Sequence, residues 1–424
     1  MLSGRLPYRI KSLHDEYGAV LRVAPDELSF TDPQAWKDIY LPKQFLRPKI
    51  WSSRPPGVEA HNFITANASD HARFRKVFQP AFSDRATKTH EPTVKQYIDL
   101  LISRLDEAIA EDRTVDLVQW LNFTTFDIIG DLGWGSSFNS VLIANSIKYY
   151  PLLHTILTKL TPASALRDLR QALETGHLKV QDRLKQDDVH RRDIMSHVID
   201  HNRSSPETGL STGEIEMNSM AVIVAGSETL TTTLTAAIHF LLENPKCLEI
   251  LQREIRTTFT TEDQITNDST TSLPYLTAVL NESLQISPPL PDSLRREVPP
   301  GGATIAGRFI PGGTTVSVAC WSLFHSSEHF PSADEFIPER WLDDSGNIKI
   351  QTDAKNVFHP FSFGPHNCIG QPLAWMEMRL ILSRLLWNFD IRVAEGRKLR
   401  DWTEQKIFWT WDKDPLEAEL VKKG

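Results

Sequence analysis

Cysteine is scarce in this chain: Cys247, Cys320 and Cys368 are the only three in 424 residues, and none stands in a C-x-x-C pair. That excludes a disulfide framework and a thiolate-built structural zinc site, and points to a reducing compartment. Basic runs are absent too. With 46 Lys and Arg against 54 Asp and Glu the formal net charge is −8, and no Lys/Arg block of five or more occurs. The electrostatic footprint of a nucleic-acid binder is therefore missing. The apolar stretch Met220 to Ala225 falls far short of the roughly 20 residues that span a bilayer. Met1 to Asp15 is basic, broken by Pro7 and without an apolar h-region, so it is not a signal peptide. Membrane association is then expected to be peripheral, or to need an anchor this chain does not carry. No repeat of fixed period is visible.

What is present is globular. Hydrophobic residues at 40%, charged residues at 24%, 26 Pro and 20 Gly exclude disorder, collagen and coiled coil for the whole chain and predict a sizeable buried core. An amphipathic segment, Tyr8 to Tyr17, leads into a strand hairpin from Ala19 to Phe30 with a Pro-Asp turn. Helical spacing of apolar residues marks His71 to Phe82, Pro92 to Ile109, Phe123 to Leu132, Lys148 to Leu160, Ala163 to Lys185 and Val189 to His201.

Ser211 to Leu242 reads as one long helix, opened by a Ser211/Glu214 capping box and stopped by Pro245. At 1.5 Å per residue, roughly 30 residues reach about 45 Å, enough to cross a whole core. Pro274 opens a helix to Ser287, short strands follow from Arg296 to Val318, and Pro372 to Phe389 is the next helix, before a terminal hairpin from Arg392 to Leu420. Between these, Ser326 to Phe363 is irregular and too long for a passive connection, so it is expected to wrap something. The class is mainly α with small β-sheets.

Cys368 sits in Phe361-Ser-Phe-Gly364-Pro-His366-Asn-Cys368-Ile-Gly370, directly before a helix. Flanking glycines let backbone N–H groups approach a sulfur, and a helix N-terminus favours a thiolate. A thiolate axial ligand donates electron density into haem iron and favours O–O cleavage. An isolated Cys at a helix start is ordinarily a buried structural residue; the whole ten-residue frame reverses that reading. It resembles the haem-binding signature of the haem-thiolate monooxygenases, the cytochrome P450 superfamily.

The resemblance extends in order from Gly4 to Leu416. Ala225-Gly226-Ser227-Glu228-Thr229 is similar to the family's oxygen-activation motif: Gly226 would relieve crowding over the iron, and Glu228 with Thr229 would relay protons. Physically, a hydroxyl beside an ionisable carboxylate in a dry helix wall can pass protons inward from water. Glu282-Ser-Leu-Gln285 stands at the family's Glu-x-x-Arg helix, and Phe336-Ile-Pro338-Glu-Arg340-Trp341 at its loop partner. Positions 282 and 285 share a helix face. Gln285 replaces the family's Arg and cannot make a bidentate charged pair with Glu282; losing a buried charge partner would cost roughly 3–5 kcal/mol unless Arg340 and the rest of the network adapt.

The resemblance implies cationic partners for haem propionates at His71, Arg75, Arg296 and His366, a haem frame at Phe361 and Gly370, and substrate contacts at Val222, Ala225, Leu294 and Phe408. It implies one domain over residues 1–424, with haem b between the long helix and the Cys368 loop. Electrons would come from NADPH through a separate cytochrome P450 reductase, to a monomer that inserts one atom of O2 into an apolar small molecule. Phrases such as Leu28 to Pro33 and Pro299 to Ile305 resemble fungal secondary-metabolite enzymes of the trichothecene-type hydroxylase kind. Relatives sit on the cytosolic face of the endoplasmic reticulum; without an anchor this chain is expected to be peripheral or cytosolic. Two rivals stand beside this reading: a haem-dependent rearrangement or cyclisation catalyst, and a decayed haem-binding protein that is not an enzyme. The Asn-x-Ser/Thr matches at Asn67, Asn122, Asn202, Asn267 and Asn281 are read as chance, and Trp402, Trp409 and Trp411 as hairpin core.

Overall fold

The computed structural model describes residues 3–48, 58–111, 113–137, 163–186, 192–292, 294–346, 348, 354 and 356–423, with side chains of 163–173 left out. The expected helix Lys148 to Leu160 lies outside these. The chain divides into two compact units: Met1–Ser53 with Leu105–Val118 and Glu228–Gly424, and Arg54–Arg104 with Gln119–Ser227.

In the first unit, helix Leu6–Tyr17 precedes strands β1 (Val20–Ala24) and β2 (Glu27–Phe30), paired antiparallel across Pro25-Asp26. The expected N-terminal hairpin does not stand alone. Strand β2 pairs in parallel with β7 (Thr315–Val318), which pairs antiparallel with β4 (Arg296–Glu297), giving the order β1-β2-β7-β4. Strands β5 (Ala303–Ile305) and β6 (Arg308–Ile310) form a separate hairpin. At the C-terminal end, β8 (Phe389–Val393) pairs with β11 (Glu417–Lys422), which also takes β3 (Val115–Asp116), while β9 (Lys406–Ile407) and β10 (Trp411–Asp412) make a small ribbon.

The expected capping box is built: the Ser211 N–H donates to Glu214 Oε2 at 2.9 Å, and the Glu214 N–H donates back to Ser211 Oγ at 3.3 Å. The long helix runs Thr212–Glu243. Among the described residues it is the one helix long and apolar enough to cross a membrane by length and composition, which the sequence reading did not see because Ser, Thr and Glu interrupt its apolar runs; 67% of its most apolar window is buried inside the protein, as in a core helix. Helix Pro274–Ile286 lacks a cap of its own, and Glu254 from helix Pro245–Thr258 supplies one, accepting from the N–H groups of Tyr275 (2.8 Å) and Leu276 (2.9 Å).

Other boundaries move. Pro92 does not open a helix but lies inside Asp84–Ala110. The helix expected at His71 begins at Ala68, because Asn67 caps it by accepting from the Asp70 N–H at 2.9 Å. The helices expected from Phe123 and Val189 run Leu117–Trp134 and Ile194–Ser204. Trp402 and Trp411 are buried, with ring centroids 5.4 Å apart, as expected of hairpin core, whereas Trp409 is exposed at the ribbon's turn.

Candidate active site

Helix Pro274–Ile286 is buried along almost its whole length and carries Glu282 inside the first unit. Its carboxylate accepts from the Ile337 N–H at 2.7 Å, from Trp341 Nε1 at 2.6 Å, and from Arg340 Nε at 3.1 Å. Arg340 also donates to the carbonyls of Pro331 and Ser332 at 2.5 and 2.9 Å. Trp341 stacks obliquely on Phe358 with centroids 4.6 Å apart. So the described part of the irregular segment is gathered on one buried carboxylate and an aromatic cluster. Burial pushes Glu282 up to about 7, against the opposing pull of Arg340 and the Ile337 and Trp341 donors.

Gln285 is not part of a lock on Glu282. Its Nε2 donates to the carbonyls of Phe324 at 2.6 Å and Ala333 at 3.0 Å, and its Oε1 is buried without a partner. Where a guanidinium was expected to meet the carboxylate, an amide ties the Phe324 and Ala333 carbonyls, and Glu282 keeps Arg340 as its cation.

The cysteine loop closes on itself. The Cys368 N–H donates to the Phe361 carbonyl at 2.8 Å and the Asn367 N–H to the Gly364 carbonyl at 3.0 Å. Within Phe361–Gly370 every residue is half-buried except Cys368, which is exposed. Gly364, with φ of 72°, is required for a reason the sequence did not show: a Cβ there would collide with the Tyr40 carbonyl oxygen. Gly370 caps helix Gln371–Asn388, its carbonyl accepting from the Ala374 N–H at 2.9 Å, and the Phe361 ring lies 6.0 Å from that of Trp375. His366 ends the short 3₁₀ turn Gly364–His366 and is half-buried.

Tyr40 itself is fully buried. Its hydroxyl donates to the Leu294 carbonyl at 2.9 Å and accepts from the Val318 N–H at 3.3 Å, and its ring lies 5.4 Å from the Arg296 guanidinium. Arg296 is 1% exposed; Nη1 donates to the Arg295 carbonyl at 2.9 Å and Nη2 has no partner. The bridge Leu46↔Glu297 sets Arg47 beside this strand, and burial together with Arg296 pushes Arg47 down to about 9. A buried guanidinium with an orphaned donor and a second one crowding it make a place for an anion. Arg47 carried no sequence signal. Leu294 packs on the core cluster around Tyr40, while Phe408 is 57% exposed at the ribbon's turn, over Gly4.

On the first unit's part of the long helix, Glu228 forms an ion pair with Lys413, whose side chain is 5% exposed. Lys413 Nζ also donates to Thr232 Oγ1 at 3.3 Å. The Thr232 and Thr233 hydroxyls donate back to the carbonyls of Glu228 and Thr229 at 2.9 and 3.1 Å. In the second unit, the bare face of Gly226 is met by Ile129: a Cβ would stand 2.8 Å from its Cγ1. Val222 is buried, but Val224 and Ala225 are exposed halfway along an otherwise core helix. His71 is buried, its ring 6.4 Å from Phe63, and Arg75 lies half-buried one turn on.

An exposed cysteine on a glycine-shaped loop at a helix start, in a unit that buries an anion-seeking guanidinium, suits a thiolate-ligated prosthetic group bearing carboxylates. The family model described as Cytochrome P450 matches residues 3–417, and the chain belongs to that family. It is 37% identical to the cytochrome P450 monooxygenase astJ of Aspergillus oryzae over 99% of this chain and 87% of that protein. It is 37% identical to the cytochrome P450 monooxygenase lcsI of Purpureocillium lilacinum (99% and 85%), and 36% identical to the averantin hydroxylase of Dothistroma septosporum (100% and 83%). The chain is thus a haem-thiolate monooxygenase, an oxidoreductase that uses O2 and a redox partner.

Proposed function

We propose that Cys368 is the axial thiolate of haem b, and that the enzyme inserts one oxygen atom into an apolar small molecule of fungal secondary metabolism, with electrons from NADPH through a separate reductase. The observation that carries this is the Cys368 loop: its backbone is closed by the Phe361 and Gly364 carbonyls, and the cysteine alone of its ten residues is exposed. When bound, haem supplies the activation of O2 and the transfer of oxygen.

This chain's residues do the rest. Arg296, with its orphaned Nη2, and His366 offer donors to the propionates, and Arg47 joins them. His71 and Arg75 keep the role the resemblance gives them. Glu228 and Thr229 hold and pass protons at their side-chain oxygens. Gly226 keeps the uncrowded oxygen site that the resemblance gives it, and Val222, Ala225, Leu294 and Phe408 are the proposed substrate contacts. The protein is proposed to act as a monomer over one functional domain, on the cytosolic face of the endoplasmic reticulum. The narrower likeness to trichothecene-type hydroxylases rests on sequence phrases alone.

The test is the absorption spectrum of dithionite-reduced protein with carbon monoxide. A strongly red-shifted Soret band in the wild type, lost in Cys368→Ser, is expected. A blue-shifted band in the wild type, or a red-shifted band that survives Cys368→Ser, overturns the assignment.

A further inference from the structure

Lys413 lies two residues beyond Trp411, and alternate residues of an extended chain share a face. Trp411 is buried and its Nε1 donates to the Pro288 carbonyl at 2.9 Å, which fixes the face that turns inward. Asp412, between them, is exposed. Lys413 is therefore an inward-turned lysine in an acidic stretch, Asp412-Lys-Asp414, where a solvated lysine would be ordinary. Its side chain is 5% exposed, and an ammonium taken that far from water needs a carboxylate and further acceptors.

Both come from one face of the long helix. Glu228 is the carboxylate, and Thr232, one turn later, is a second acceptor at 3.3 Å. The Trp411 carbonyl is a third, at 3.5 Å. Thr232 has spent its own hydrogen on the Glu228 carbonyl at 2.9 Å, so its oxygen is left to receive the ammonium. Glu228 itself is 29% exposed at its side chain, which leaves it a route to water.

We propose that Lys413 is a positioning residue for proton delivery: it holds the Glu228 carboxylate in one rotamer on the face of the helix toward the C-terminal ribbon. This rests on the proton-relay role given to Glu228 above. A proton handed on by Glu228 is replaced from solvent. Without the ammonium the carboxylate samples other rotamers, and fewer protons arrive in step with electrons. With NADPH as reductant, O2 then leaves more often as hydrogen peroxide, after two electrons and two protons, and less often as two waters, after four of each.

The experiment needs no substrate. Lys413→Met, Lys413→Arg, Glu228→Gln and the double variant Lys413→Met/Glu228→Gln are supplied with NADPH and a P450 reductase, and peroxide is measured per NADPH oxidised. Lys413→Met is expected to raise that ratio about twofold, Lys413→Arg to restore it, and the double variant to match Glu228→Gln alone. An unchanged ratio in Lys413→Met, or losses that multiply in the double variant, overturns the proposal. Independently of turnover, acylation of the Lys413 amine, read by mass spectrometry, is expected to rise about tenfold in Glu228→Gln as the pair opens; equal labelling overturns it. The reduced carbon monoxide spectrum of each variant keeps the two readings apart. Loss of the red-shifted band in the wild type sinks the haem assignment, whereas an intact band with unchanged peroxide sinks only the role of Lys413.

Discussion

Trp341 Nε1 donates to Glu282 Oε2 at 2.6 Å, with the indole and the carboxylate both wholly buried. The carboxylate thereby fixes a tryptophan against which Phe330 and Phe358 of the irregular segment pack. Trp341→Phe keeps the stacking but leaves a buried carboxylate oxygen short of a donor, at a cost of about 1–3 kcal/mol. Glu282→Ala strands Arg340 as well and costs about 3–5 kcal/mol. Chemical denaturation of the two variants checks the order.

The same carboxyl gives a pH dependence of definite sign. Folding raises it from 4.5 to about 7, so over that range the native state holds a proton that the unfolded chain releases. Its contribution to stability is therefore full below the unfolded value and is lost as pH rises through the folded one. Glu282→Gln, which stays neutral, is expected to show a shallower fall in Tm between pH 5 and pH 8 (about that span) than the wild type; an equal or steeper fall would show that other groups set the profile.

Gln285 tests whether the departure from the family is a defect. Its amide already serves the Phe324 and Ala333 carbonyls. Gln285→Ala should lose about 1–3 kcal/mol, and Gln285→Arg should bring no more than about a twofold gain in haem per protein. A large gain, read from the haem-to-protein absorbance ratio, would mean that the substitution had impaired the site.

Arg296 offers an inversion of sign. It is a buried cation with one donor unmet and Arg47 nearby, so Arg296→Leu should raise the Tm of protein prepared without haem. In loaded protein the same change should speed transfer of haem to apomyoglobin about tenfold. A purely structural arginine would lower stability in both states.

Local rules read much of this chain. The Ser211/Glu214 box, the Pro274 start and the Pro25-Asp26 hairpin each depend on residues within a few positions of one another. Arg340 was legible as a partner of Glu282 because the resemblance spans both segments. What local rules missed is long-range. The parallel pairing of β2 with β7, Glu254 capping a helix it does not belong to, and Lys413 reaching Glu228 have no signature in spacing. Pro92 misled because a proline is expected to open a helix rather than sit within one. At Gln285 the sequence shows which group is gone, not which carbonyls its replacement serves.

Tyr40 shows how few pieces this arrangement rests on. Its carbonyl is the wall that only a glycine at position 364 can lie against, its hydroxyl grips the Leu294 backbone and the end of β7, and its ring underlies Arg296. One residue is thus a common abutment for the cysteine loop, the segment proposed to border the substrate, and the guanidinium proposed to meet a propionate. Leu294 also packs on the core cluster that holds Tyr40, so substitutions there to change what the enzyme accepts are expected to reach the seat of Cys368 through that abutment. Libraries aimed at new substrates should be screened first for the red-shifted carbon monoxide band, and only then for product.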